Sequence, residues 1–138
     1  MERWIILGVL LTALLLAALW VAARPRLLTA RLRRRPVPEV VRNGRPAVLA
    51  FTSPDCAACR TTQRPALEDL AARLGGRVRI QEVDVLAQPQ LARTFGIFSV
   101  PSTVVVDRRG RVLAFNIGFA SADRLHRQVL LATRNGNL

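Results

Sequence analysis

Apolar residues fall into one long uncharged run, followed by short segments whose spacing changes from one to the next. The run is Trp4 to Ala23, interrupted only by Gly8 and Thr12. At about 1.5 Å per residue, a helix of that length covers roughly 30 Å, the thickness of a bilayer's hydrocarbon core. Trp4 and Trp20 stand near its two ends, where amphipathic aromatic rings prefer the interface. Residues 1–23 are therefore expected to form a single transmembrane anchor. A cleavable signal peptide is the competing reading, with Arg3 as its charged start and Val21 and Ala23 before the cut. The run is long for a signal's apolar core, and Arg24-Pro25 would be a poor pair to follow a cleavage site.

After the run, residues 24–44 are basic and carry Pro25, Pro36 and Pro38, which reads as a stalk. Within it, Pro38 to Arg42 predicts one helical turn ended by Asn43-Gly44. Ala47 to Thr52 is continuously apolar up to its last residue, the pattern of a strand covered on both faces. A helix is expected from Cys56 to about Leu74, with Leu67, Leu70, Ala71 and Leu74 inward and Gly75-Gly76 as the stop. Pro65 should kink it, because proline removes a backbone donor and clashes with the preceding turn. Arg77 to Val85 predicts a second strand with an irregularity near Glu82, where the alternation changes phase.

Gln88 to Phe95 reads as a short helix with Pro89 near its first position, where proline is tolerated. Ser102 to Val106 is rich in β-branched residues and predicts a third strand. Asp107 to Gly110 forms its hairpin turn and Arg111 to Phe115 the return strand. A last helix runs from Ser121-Ala122-Asp123 to about Ala132, with Leu125, Val129 and Ala132 on one face. The order β-α-β-α-β-β-α over residues 45–134 implies an α/β fold, a mixed sheet with helices on both faces. Residues 135–138 read as a flexible tail.

Charge changes the picture of the stalk. The chain carries 21 basic residues, all of them arginine, and a formal net charge of +12. Arg24, Arg26, Arg31, Arg33, Arg34 and Arg35 contribute six of those charges with no acid among them. From Arg45 onward, thirteen arginines stand against seven acids, which leaves +6. Half the excess therefore lies beside the apolar run, where it favours anionic lipid headgroups. Nucleic acid is not expected as a partner, since no stacking aromatic set or recognition motif accompanies the charge. The same asymmetry predicts orientation: positive flanks stay on the cytoplasmic side, so the C-terminal domain is expected to face the cytoplasm.

The chemistry lies in Cys56-Ala57-Ala58-Cys59, which holds the only two cysteines. It falls where the first strand hands over to a helix. Cys56 then sits at a helix N-terminus, where unpaired N–H groups and the positive end of the dipole favour thiolate over thiol. Cys59 follows one turn later, within reach for a disulfide. The pair reads as a two-electron redox switch. Three other readings stay open. A purely structural disulfide would close only a four-residue loop, worth roughly 2 kcal/mol on the chain-entropy model. A structural zinc normally takes four ligands, and the chain adds only His126, on the distant last helix, unless a dimer pools two cysteine pairs. A non-catalytic adapter at the membrane would have no need of the pair.

These residues together resemble the thioredoxin family over about Arg45 to Thr133. The resemblance rests on strand, loop, Cys56-Ala57-Ala58-Cys59 and helix, then on Phe98-Ser99-Val100-Pro101-Ser102-Thr103 entering a strand, and on Gly110 and Gly118. It implies a thioredoxin-like fold behind one transmembrane helix and a cis Val100–Pro101 bond beside the active-site disulfide. It further implies that Cys56, Cys59 and Pro101 carry catalysis, with Val100 and Asp55 against the substrate. An outward-turned Val100 backbone would pair with an extended substrate segment, a one-residue form of strand addition. Three positions depart from the family. Asp55 replaces the usual tryptophan, Ala57-Ala58 replaces the usual Gly-Pro, and Ala50 stands where a buried aspartate takes the proton from the second cysteine. Glu82, on the neighbouring strand, is the candidate replacement acceptor. The helix proline also falls one position later than in the family, which shifts the register after Cys59 by one residue.

The implied activity is disulfide reduction by dithiol/disulfide exchange, with no cofactor beyond the redox-active disulfide and no metal. Its partners would be disulfide-containing proteins as substrates and a donor for rereduction. On the cytoplasmic face that donor is a soluble reductase; on the outer face, where anchored bacterial members of the family often work, it is a membrane electron carrier. Phe95, Phe98, Phe115 and Phe119 are expected in the core or at the rim of the site.

Overall fold

The computed structural model describes residues 1–33 and 44–134, so the helical turn read at Pro38–Arg42 and the tail at 135–138 lie outside the described residues. The apolar run forms α1, Glu2–Arg33. Its stretch Glu2–Ala23 is long and apolar enough to cross a membrane, and none of it is buried against the rest of the chain. The helix does not stop where the basic segment begins; it continues through Pro25. One proline withholds a single N–H, and the helix carries on past it.

The domain proper is built on four strands: β1 (Ala47–Thr52), β2 (Arg79–Asp84), β3 (Ser102–Val106) and β4 (Val112–Ile117). They lie in the order β2-β1-β3-β4. β1 and β2 run parallel, while β3 is antiparallel to both β1 and β4. β1 is central and buried on both faces, as its unbroken apolar run predicts. Alternate residues of β1 feed two cores. Leu49 and Phe51 face α3 (Pro89–Phe95), packing with Val83, Leu91, Phe95 and Val104. Val48 and Ala50 face the other side, with Leu67, Leu70, Val105, Leu125 and Val129 from α2 (Arg64–Leu74), β3 and α4 (Ala122–Arg134).

Two expectations change in detail. No irregularity occurs at Glu82, because β2 pairs with β1 without a break from Ala47↔Arg79 to Thr52↔Asp84. The apparent phase change arises because β2 is an edge strand, where polar Gln81 and Glu82 point to opposite faces without loss. The irregularity lies instead between Val105 and Val106, opposite β4. The kink expected at Pro65 takes the form of a π turn, Cys59–Gln63, immediately before α2. Pro65 has no N–H for the carbonyl four residues back and its ring would press on it; widening the preceding turn relieves both problems. Here the Arg64 N–H reaches the Cys59 carbonyl, five residues back.

The helix ends follow local chemistry. Gly75 takes φ 54° and donates its N–H to the Ala71 carbonyl at 3.1 Å, closing α2 in the left-handed conformation that glycine adopts without strain. Arg73, in the last turn of α2, grips Asp69 at 2.6 and 3.0 Å and reaches Asp123 at the start of α4 at 2.5 Å. Asp123 is held below its ordinary carboxylate range, first by that hydrogen bond and then by the positive charge of Arg73. A depressed folded-state pKa contributes stability above the ordinary value, and this is lost as pH falls through the depressed one. D123N should therefore be less stable than wild type at neutral pH, with the two melting temperatures converging on acidification below about pH 4. Parallel melting curves across that range would show that the ion pair contributes nothing.

Candidate functional site

The strand-to-helix handover at the end of β1 makes the site. Ser53 to Asp55 form a turn in which the Cys56 N–H donates to the Ser53 carbonyl at 3.1 Å. The helix begins at Ala57 and Ala58, so Cys56 occupies its capping position. The Cys59 N–H donates to Cys56 Sγ at 3.1 Å, the bond that an N-cap side chain makes to the third residue of a helix. Cys56 and Cys59 form a disulfide, with their Cα atoms 5.3 Å apart. Cys56 is partly exposed, whereas Cys59 is only 6% exposed. One sulfur can therefore be reached by an external group, and the other is backed against protein.

The Val100–Pro101 peptide is cis, as the resemblance implied. Pro101 is buried and Val100 half-buried, in the loop between α3 and β3. The Pro101 carbonyl accepts the Gly118 N–H at 2.9 Å, which ties this loop to the one following β4. Gly118 takes φ 80°, a conformation that side-chain-bearing residues rarely adopt. Asp55 is exposed, immediately before Cys56. Arg60, one residue after Cys59, folds back so that its Nη1 donates to the Pro54 carbonyl, placing a fixed positive charge on the loop before Cys56.

Ala50 and Glu82 are register partners on adjacent strands. The carboxylate thus comes from the strand beside the position where the family places its buried aspartate. Glu82 is not free in solvent: Arg64 at the start of α2 donates to both of its oxygens, each at 3.0 Å. This fork raises Arg64 above the ordinary arginine range, through the hydrogen bond first and the negative charge second. No local pattern announced Arg64, which lies 18 residues from its partner. Among the aromatic residues, Phe95 is core at 2% exposure, Phe115 packs at the core margin, and Phe98 and Phe119 are exposed at 98% and 51%. His126 is half-buried on α4. Among the described residues no three His, Cys, Asp or Glu side chains gather as metal ligands.

Gln63 was missed by sequence reasoning. It is buried at 3% and exchanges two hydrogen bonds with the backbone of Ala120. A signal existed: Gln63 stands on the inward stripe of Cys59, Leu67, Leu70 and Leu74, where a polar residue needs a partner.

A mixed sheet that delivers an accessible sulfur to a helix start after β1, with a cis proline leading into the paired strand β3, defines a thiol–disulfide oxidoreductase whose redox group is its own disulfide. Comparison with known proteins agrees. A profile for the thioredoxin-like domain matches residues 37–132. The chain is 31% identical to a thioredoxin of Rhodospirillum rubrum over 80 residues, 58% of this chain and 75% of that one. It is 30% identical to a thioredoxin of Bacillus subtilis over 79 residues, 57% of this chain and 74% of that one. Among solved structures it is similar to thioredoxin-2, a component of malaria parasite protein secretion machinery. That similarity has a TM-score of 0.58 at 28% identity, covering 63% of this chain and 82% of that one. It is also similar to MTB dsbF in its mixed oxidised and reduced forms, with a TM-score of 0.56 at 26% identity, covering 68% and 84%. The chain belongs to the thioredoxin-like family.

Proposed function

We propose that this protein is a membrane-anchored disulfide reductase whose catalytic domain faces the cytoplasm. The observation that carries the reading is the Cys59 N–H aimed at Cys56 Sγ. In the reduced protein the same donor, the helix start and the Arg60 charge all favour a Cys56 thiolate. That thiolate attacks one sulfur of a substrate disulfide, forms a Cys56–substrate disulfide and expels the other substrate sulfur as thiolate. Cys59 then attacks the Cys56 sulfur and expels the second substrate thiolate, leaving Cys56–Cys59 oxidised. Two electrons have passed to the substrate. The Cys59 proton leaves to solvent or to Glu82, with Arg64 holding that carboxylate beside Ala50 and the start of α2.

Val100 pairs with the substrate backbone, Asp55 lies against it, and a soluble reductase returns the electrons. The exposed apolar α1 supports the anchor, and the six arginines that follow support the inward face and contact with anionic lipid. Insulin reduction by the full chain in detergent micelles, paired with reporter fusions at the C-terminus in cells, tests both halves. We expect turnover of insulin, a fluorescent cytoplasmic reporter and an inactive exported one. A chain inert toward every disulfide offered points to the adapter reading. Activity of the exported reporter places the domain outside and makes a membrane carrier its donor.

A further inference from the structure

Most buried polar side chains in the described residues complete local structure. Ser102 donates to the Ser99 carbonyl at 2.8 Å, and Asp107 gathers two backbone N–H groups and Arg111 across its own hairpin turn. Asn116 joins Thr103 and Gln128 within the layer between β3, β4 and α4. Gln63 is different. It stands in the turn that begins with Cys59 and binds a loop 57 residues away.

Its Nε2 donates to the Ala120 carbonyl at 3.0 Å, and the Ala120 N–H donates to Gln63 Oε1 at 2.9 Å. The two bonds form a closed ring from which water is excluded, since Gln63 is 3% and Ala120 0% exposed. Two residues earlier in the same loop, the Gly118 N–H is bound to the Pro101 carbonyl. The segment Gly118–Ala120 is thus fastened at one end to the proline loop and at the other to the cysteine helix. Between the two fastenings stands Phe119, half exposed.

We propose that Gln63 is a positioning residue for protein substrates: its carboxamide sets the distance between the cysteine helix and the loop that carries Phe119. The polypeptide around a substrate disulfide lies in the gap so defined. This rests on the disulfide-exchange reading of the same site. Without the carboxamide, the Ala120 N–H and C=O are left buried and unpaired, and the loop opens to find water. A small disulfide needs only the Cys56 sulfur and is indifferent to that wall, whereas a protein substrate is not. The π turn takes up the extra residue before the late proline and leaves Gln63 buried on the Cys59 stripe.

The test uses the full chain in detergent micelles, with insulin and a small aromatic disulfide as substrates. Q63M keeps the length of the side chain and removes both bonds. It should raise KM for insulin roughly tenfold, the scale set by a buried hydrogen bond, with kcat and the small-disulfide rate unchanged. Q63E provides the control that a merely structural role would not move. A protonated carboxyl can accept from the Ala120 N–H and donate to its carbonyl, whereas a carboxylate can only accept. The KM of Q63E relative to wild type should therefore fall toward unity as pH is lowered, while that of Q63M stays flat. Hydrogen exchange on the oxidised proteins should be faster at Phe119 and Ala120 in Q63M.

A wild-type KM in both variants, or equal losses with both substrates, overturns the proposal. So does a Q63E ratio independent of pH, which also decides the matter if Q63M fails to fold. A wild-type chain inert toward both disulfides overturns the exchange reading instead; the hydrogen-exchange comparison needs no turnover and still reads the clamp.

Discussion

Replacing Cys56 with serine is expected to abolish disulfide exchange, whereas replacing Cys59 with serine is expected to leave the chain covalently joined to its substrate. The asymmetry follows from position. Cys56 is partly exposed and its sulfur receives the Cys59 N–H, so in the proposed mechanism this is the thiol that attacks. Cys59 is backed against protein, and in that mechanism it meets a disulfide only after Cys56 has formed one. C56S removes the first attack and should leave no turnover. C59S completes that attack, cannot resolve it, and should accumulate an adduct of summed mass in non-reducing gels and intact-protein mass spectra. Glu82→Gln should lengthen the life of the mixed disulfide in the otherwise unaltered chain, because the proposed acceptor for the Cys59 proton is gone. Equal loss in both cysteine variants with no adduct would rule out these roles.

Much of this was legible from residue spacing, and the failures are specific. β1 could be read to its ends because a central strand buried on both faces is unbroken in its hydrophobicity. The cysteine pair could be placed because strand, loop and helix follow each other with no gap. β2 misled because an edge strand tolerates polar residues on both faces, so Gln81-Glu82 imitates a break in pairing that runs on unbroken. Pro65 announced a disturbance in the helix, but not that a single π turn would take it up. The Arg64–Glu82 fork and the Gln63–Ala120 ring escaped for a common reason. Each joins elements distant in the chain, and only the fold decides which of many arginines and backbone groups lies within reach.

One departure from the family, Ala50, is matched by a charged pair on the neighbouring elements. Ala50 removes a carboxylate from β1, Glu82 places one on the neighbouring strand, and Arg64 arrives from α2 to hold it. A lone aspartate at position 50 would stand in a dry core, where ionisation is costly. The Glu82 side chain, at the sheet edge, is 40% exposed and held by Arg64. In the proposed mechanism the proton of the second cysteine passes to this solvent-open carboxylate. The tie from Gln63 to Ala120 lies one residue before Arg64, so one short helical stretch from Cys59 to Arg64 carries a sulfur, the fastening of the Gly118–Ala120 loop and the partner of Glu82.

The second large effect expected is on stability, and a pair of phenylalanines isolates it. Phe51 is 1% exposed near the end of β1, with its ring 5.8 Å from that of Phe95 on α3. Truncation to alanine removes the largest side chain of β1 from a core that cannot collapse around the space, at a cost of about 3–5 kcal/mol. For a small domain with roughly 5–15 kcal/mol of total stability, that is a major fraction. The strand it anchors delivers Cys56, so Phe51→Ala should lose activity through unfolding, with a much lower urea midpoint and an unchanged slope. Phe98 is the counter-experiment. It is 98% exposed in the loop leading to Pro101, so Phe98→Ala should leave the urea midpoint within about 0.5 kcal/mol of wild type. Its ring has no work in the fold, and its loss should instead raise KM for protein disulfides. Midpoints displaced equally by the two substitutions would place the Phe98 ring in the core rather than at the substrate's edge.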